Sequence, residues 1–211
     1  MPTAPNRPSR NALARLRRSE PGLAAALDRA PFPGFPESAA ARAHTHYSYL
    51  ARAIVFQQLT GKAAGTIFRR AVALTPGPRF PRPDELLALP DATLASAGLS
   101  TQKVRALRDL AARVDDGRLV LAGIARRDDD EIIERLVTVR GIGVWSAQMF
   151  LLFRLGRLDV MPTGDLGVQE GLRRLDGLDQ RPTPAEVAAR GEAWAPLRSV
   201  AAWALWRLTE D

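Results

Sequence analysis

Residues 132–150, IIERLVTVRGIGVWSAQMF, constrain the fold more than any other stretch of the chain. Apolar side chains recur at Ile132, Ile133, Leu136 and Val139, then at Ile142, Ala147 and Phe150, which gives each of two helices one buried face. Gly141 and Gly143 stand between them, one residue apart. Glycine takes backbone angles, and permits close approaches, that a side chain would block. So tight a connection leaves two helices packed against each other and the core, with Ile142 buried as the anchor of the turn. The second helix then starts near Val144. Its first amides have no intrahelical partner and carry partial positive charge, a ready site for a phosphate that needs no side-chain specificity.

The same helical period runs through the rest of the chain. Helices are predicted over Asn11–Arg18 and Pro21–Arg29, then as a pair from His44 to Arg70 with Thr60 capping the second. Shorter ones follow at Pro83–Leu89, Asp91–Ala97 and Thr101–Asp115, with Asp91 and Thr101 standing where caps belong, and a turn or two at 119–125. The segment RRDDDEIIERLVTV starts a helix with acidic residues in its first turn, where the helix dipole favours them. Val144–Leu155, Asp165–Leu175, Thr183–Ala193 and Trp194–Thr209 complete the series. Residues 1–9 read as a loose tail, and APFPGFPES and LTPGPRFPRPD as stiff loops. No strand alternation and no fixed-period repeat interrupts the pattern, so the expected class is all-α, with roughly ten to twelve helices.

Composition narrows the chemistry. The 211 residues include no cysteine, which excludes disulfides, thiolate-bound zinc, iron–sulfur clusters and a cysteine nucleophile. His44 and His46 lack a third ligand of their kind, so a zinc site is not expected. No apolar run is long enough to span a membrane and the N-terminus has no signal-peptide core, so a cytoplasmic protein is expected, on the nucleoid if the source is bacterial. The net charge of +7 suits a nucleic-acid partner or an anionic membrane surface. Arginine supplies nearly all of it, however, and Lys62 and Lys103 are the only lysines, so compositional bias explains the charge equally well.

A second stretch, LGRLDVMPTGDLGVQEG (155–171), places Asp165 24 residues after Gly141 and just before a helix. Asp there is a common N-cap. A capping carboxylate is also held ionised by the helix dipole and by its hydrogen bonds, and a fixed carboxylate of that kind stabilises a sugar cation as a glycosidic bond breaks. The two roles are compatible.

In this order, the hairpin, Trp145, LGRLDV, Pro162 and Asp165 resemble the helix-hairpin-helix/Gly-Pro-Asp superfamily of DNA glycosylases, and within it the AlkA-type 3-methyladenine branch. AIVFQQLTGKAAGTIFRR (53–70), GLSTQKVRALRDLA (98–111) and WAPLRSVAAWALW (194–206) extend the likeness over roughly residues 40–208. The resemblance implies two helical lobes with the hairpin at the cleft between them. Residues 1–36 would pack with the C-terminal lobe, 37–155 would form a central lobe ending in the motif at 130–155, and 156–211 a C-terminal lobe with the catalytic loop. It also implies a compact form without the extra N-terminal β-domain of longer relatives. The expected activity is base excision repair by a monomer acting on duplex DNA with alkylated bases.

The resemblance assigns roles residue by residue. Asp165 is the catalytic carboxylate. Trp206, Trp145, Met149 and Tyr47 line a base pocket, where a cationic purine over an indole face gains about 0.5–2 kcal/mol. Gly141, Ile142, Gly143 and Val144 hold DNA together with Gln57 and Gln58, of which Gln57 is expected to fill the gap left by an extruded nucleotide. The carbonyls of Val137, Val139 and Ile142 match those that hold Na⁺ or K⁺ against a phosphate in relatives; no other cofactor is expected. Trp145 occupies the position where bifunctional members carry a Schiff-base lysine, which implies a monofunctional enzyme. Trp194 reads as core. Gly164 departs from members with a polar residue before the aspartate, and the acidic run Asp128–Glu131 is expected to face away from DNA. A non-catalytic hairpin module and a glycosylase for other damaged bases are the alternatives.

Overall fold

The computed structural model describes residues 6–36 and 44–210. The tail residues 1–5 and the end of the APFPGFPES loop lie outside that range, as does the expected division between 36 and 37. Among the described residues the fold is all-α, as expected, with twelve α-helices, two 3-10 turns and a single isolated bridge between Asn6 and Phe35. In chain order the helices are α1 (Arg10–Ser19), α2 (Pro21–Arg29), α3 (His46–Phe56), α4 (Gly61–Val72), α5 (Pro83–Ala88), α6 (Asp91–Ser96) and α7 (Thr101–Asp115). They continue as α8 (Asp129–Val137), α9 (Val144–Phe153), α10 (Leu166–Leu175), α11 (Pro184–Gly191) and α12 (Arg198–Arg207). The 3-10 turns are Ile124–Arg126 and Glu192–Trp194. The chain groups into two compact units, Met1–Ala43 with Gln148–Asp211, and His44–Ala147, so that one division falls inside α9 rather than at the loop after it.

Helix starts follow local chemistry. Thr60, Asp165 and Thr183 are N-caps whose side chains accept from the amides of Ala63, Val168 and Glu186. Asp91 and Thr101 are not caps but first helical residues, preceded by Pro90 and Ser100. Ser100 is the better cap because its hydroxyl reaches the Lys103 amide, while the Asp91 carboxylate is drawn to Arg108. The expected helix Trp194–Thr209 is broken. Trp194 ends a 3-10 turn, Pro196 supplies no amide hydrogen, and α12 begins only at Arg198.

In the unit that holds α1, α2 and α10–α12, α12 is central. Ser199, Val200, Ala201, Ala202, Ala204 and Leu205 are all buried, so this helix is enclosed by its neighbours rather than amphipathic. It packs against α10 and α2. The α10 contact is close enough that a Cβ on Gly171 would lie 2.3 Å from the Leu205 carbonyl oxygen. Leu16, Leu23, Leu27, Leu172, Val187 and Trp194 complete the same core, so Trp194 is core as expected. The Glu20 carboxylate, between α1 and α2, accepts both terminal nitrogens of Arg190 at 2.7 and 2.9 Å and the Trp194 indole N–H at 2.9 Å.

In the other unit, α7 is the spine. Its Val104, Leu107, Leu110 and Ala111 are buried, and α5, α3 and α6 pack on it. Ile132 and Leu136 of α8, with Val139, Ile142 and Ala147 beyond, are buried as the apolar spacing requires.

Two outcomes follow. Gly171→Ala drives a methyl into the Leu205 backbone, which cannot swing aside as a side chain can. It should lower stability by about 1–3 kcal/mol, read as a reduced thermal midpoint. The Arg190 hydrogen bond, aided by that of Trp194 and opposed by burial, holds Glu20 below its ordinary value of 4.5. A carboxyl lowered by folding contributes stability above its unfolded value and loses it as pH falls through the folded value. Glu20→Gln should therefore destabilise the chain at neutral pH by roughly 1–3 kcal/mol. The gap to wild type should narrow in acid melts below pH 4.5.

Candidate functional site

The hairpin closes by short backbone bonds. The Val139 amide donates to the Leu136 carbonyl at 3.1 Å and the Ile142 amide to the Val139 carbonyl at 3.0 Å. Val139 and Ile142 are buried, which pins the turn from inside. The two glycines serve different ends. Gly141 has φ +80°, and a Cβ there would sit 3.3 Å from that of Ala106. Gly143 has neither constraint: its φ is not positive, and no described residue lies within 4 Å of where its Cβ would be. The space it leaves is on the outer surface, at the head of α9, where Val144 and Trp145 are exposed by 54% and 47%. Trp145 is thus not a core tryptophan. The acidic run opens α8, at the opposite end of that helix from the turn, with Glu131 paired to Arg127 and Arg135.

The loop after α3 meets the hairpin. The Gln57 side chain donates from Nε2 to the Gly141 carbonyl at 2.8 Å. Gln58, next in the chain, is exposed and has φ +55°, the positive-φ residue other than glycine among those described. A side chain in the left-handed region is strained, and such strain gathers at functional positions. Tyr47 packs inside this unit at 8% exposure, its ring against Phe80, and burial pushes its hydroxyl up.

The second cluster lies in the other unit, around Asp165. One carboxylate oxygen, Oδ1, accepts the Val168 amide at 2.9 Å and the Trp206 indole N–H at 2.8 Å. Both the helix start and a side chain of α12 therefore orient this carboxylate. Trp206 stacks on Phe153, with ring centroids 5.7 Å apart and 18° between planes. Gly167 makes the arrangement fit, since a Cβ there would stand 2.8 Å from Trp206 Cδ1 and 3.1 Å from Asp165 Oδ1. Met149, in the same unit, is half-buried.

The loop leading to Asp165 is fastened to α12 by chemistry visible only in three dimensions. Asp159 accepts from the Arg198 guanidinium at 2.8 and 2.9 Å, and the buried Ser199 hydroxyl accepts the Val160 amide and donates to its carbonyl. Thr163 and Asp165 are further fixed by Gln169, whose Nε2 donates to the Thr163 carbonyl at 3.0 Å. Sequence reading did not single out Gly167, Phe153, Arg198 or Ser199. Gly167 alone left a trace, as a glycine placed in a first helical turn where it costs stability.

Known proteins give this geometry its context. The HhH-GPD superfamily of base excision DNA repair proteins matches residues 51–196. DNA-3-methyladenine glycosylase 1 of Schizosaccharomyces pombe is 37% identical over 165 residues, covering 78% of this chain and 72% of that protein. In structure, the chain resembles the 3-methyladenine DNA glycosylase of Schizosaccharomyces pombe solved with abasic DNA, with TM-score 0.78, 32% identity, and 93% and 95% of the two chains covered. It also resembles a DNA-3-methyladenine glycosidase of Bacillus halodurans, with TM-score 0.80, 31% identity, and 94% and 89% covered. The glycine hairpin with its outward-facing second glycine, and the capping carboxylate oriented by an indole, stand in a chain that belongs to the HhH-GPD superfamily of base excision DNA repair proteins.

Proposed function

We propose that this protein is a DNA glycosylase that turns an alkylated purine of the 3-methyladenine class out of duplex DNA and hydrolyses its N-glycosidic bond. The carrying observation is the Asp165 carboxylate, held at the N-terminus of α10 by the Val168 amide and the Trp206 indole. The relatives' names support the lesion class, and family membership supports the repair role.

The chemistry follows from a negative charge in a fixed place. As the bond from the sugar C1′ to the purine nitrogen breaks, its electron pair leaves with the base and neutralises the positive charge that alkylation put there. Positive charge develops on the sugar, where a preorganised carboxylate stabilises it without reorganising. Water then adds to C1′ and loses a proton. A cationic purine leaves readily, so no strong general acid is required. Trp206, stacked on Phe153, offers an indole face to such a cation. Met149, half-buried in the same unit, is a further pocket residue, whereas Tyr47 supports the fold from within its own unit.

Hairpin amides from Gly143 onward grip a phosphate, and the absent Cβ at Gly143 leaves the backbone open to it. The carbonyls of Val137, Val139 and Ile142 suit Na⁺ or K⁺ in chemistry. Val139 already accepts the Ile142 amide, and a carbonyl oxygen has a second lone pair for a cation. A cation there would supply positive charge beside the phosphate. Of the two glutamines, Gln58 is the one free to enter the duplex, since Gln57 is tied to Gly141.

No lysine stands on the hairpin helix, and the Lys103 amine is held by the carbonyls of Val55 and Gln57. Hydrolysis should leave the abasic strand intact. Duplex DNA treated with a methylating agent should lose 3-methyladenine on incubation, and the strand should break only after heat or alkali. Strand scission at neutral pH without heating would rule out the monofunctional mechanism. Asp165→Asn should slow excision by at least about 100-fold while duplex affinity changes little. Trp206→Phe, which keeps a ring on Phe153 but loses the N–H, should slow it about tenfold. Duplex binding with no base released by the wild type would identify a binding module instead.

A further inference from the structure

Helix α7 bears Lys103, Ala106 and Asp109 three residues apart, and each touches one of the two loops just described. The Lys103 ammonium donates to the carbonyls of Val55 and Gln57 at 2.8 and 2.9 Å, the open end of α3. Ala106 lies against Gly141. Asp109 Oδ2 accepts the Arg140 amide at 2.7 Å and Arg113 Nε at 2.9 Å. The Gln57 side chain closes the circuit on the Gly141 carbonyl. Segments 84 residues apart in sequence, Gln57 and Gly141, are thereby bound to each other and to one helix.

Lys103 is the unexpected member. It is half-buried, and its ammonium is held by two carbonyls rather than by a carboxylate among the described residues. A cation placed so is costly, and an apolar side chain of the same length would fill the space more cheaply. Burial lowers its proton affinity, in keeping with a charge placed against its own preference. What the ammonium does, and a methyl group could not, is fix the backbone of Gln57 from one side while the side chain of Gln57 is fixed from the other. The residue that this leaves projecting, in a left-handed conformation, is Gln58.

We infer that Lys103 is a positioning residue for nucleotide extrusion, acting through Gln57 to hold Gln58 in the attitude that enters the duplex. The inference rests on the glycosylase reading of the site, and its test includes a readout that needs no catalysis. The probe is a duplex with 2-aminopurine beside a tetrahydrofuran abasic analogue, whose fluorescence rises when the step is unstacked. Lys103→Met should keep its affinity for undamaged duplex within about twofold yet lose most of the fluorescence rise; Lys103→Arg, which keeps the cation, should restore it. In a double-mutant cycle, Gln58→Ala should cost the wild type about tenfold in single-turnover excision but less than about twofold in Lys103→Met, because the two changes remove one effect. Should Lys103→Met fold poorly by thermal melting, Gln57→Ala replaces it, with the same loss and the same non-additivity expected.

An unaltered fluorescence rise in a folded Lys103→Met, or costs of Lys103→Met and Gln58→Ala that multiply independently, would overturn the assignment. A wild type that unstacks the probe but releases no base would sink the glycosylase reading instead and leave the positioning role standing.

Discussion

The bond from the Trp206 indole to Asp165 is the interaction on which the carboxylate's arrangement depends. An N-capping aspartate alone has two oxygens and some freedom to turn. Once one oxygen is shared between the Val168 amide and the indole, the side chain is held from two helices at once. That requires α10 and α12 to lie close, which the bare backbone of Gly171 against Leu205 permits, and it requires Gly167 to leave room for the ring. The loop approaching Asp165 is fastened to the same helix through Arg198 and Ser199. The candidate carboxylate is thus supported by a helix buried along most of its length, an arrangement that keeps a charge preorganised.

The hairpin follows a different logic. It is built from backbone, and its two glycines divide the labour. Gly141 is demanded by φ and by Ala106, whereas none of the described residues demands Gly143. At this exposed helix head the missing side chain leaves the backbone uncovered, which suits the proposed contact with a phosphate. The phosphate role needs only that surface and the helix amides. The same unit invests a lysine and an aspartate of α7 in steadying the turn and the neighbouring Gln57 loop.

The elements themselves were mostly legible, because periodicity, prolines and caps act over a few residues. Thr60, Asp165 and Thr183 cap where sequence places them. Errors arose where two local signals competed. Ser100 and Thr101 are both able caps, and only the course of the backbone chose Ser100. The expected helix Trp194–Thr209 runs through Pro196, whose missing amide hydrogen argues against it. Of the candidate site, the capping place of Asp165 and the glycine turn could be read from spacing and resemblance. The attachment of Gln57 to Gly141, which leaves Gln58 as the outward residue, could not, since it joins side chain to backbone across 84 positions.

By itself the sequence determined the helical class, the turn at Gly141, the capping place of Asp165 and the exclusion of thiol chemistry, all of which follow from composition or from neighbours within a few residues. Tertiary structure alone decided which partner each tryptophan takes: Trp194 donates to Glu20 in the core, Trp203 to the Ala30 carbonyl, and Trp206 to Asp165. Their one-letter code is the same and two of them share a helix face. What separates them is the partner that packing brings within three ångströms or so, and hydrogen bonds are too short-ranged for spacing along a chain to foretell it.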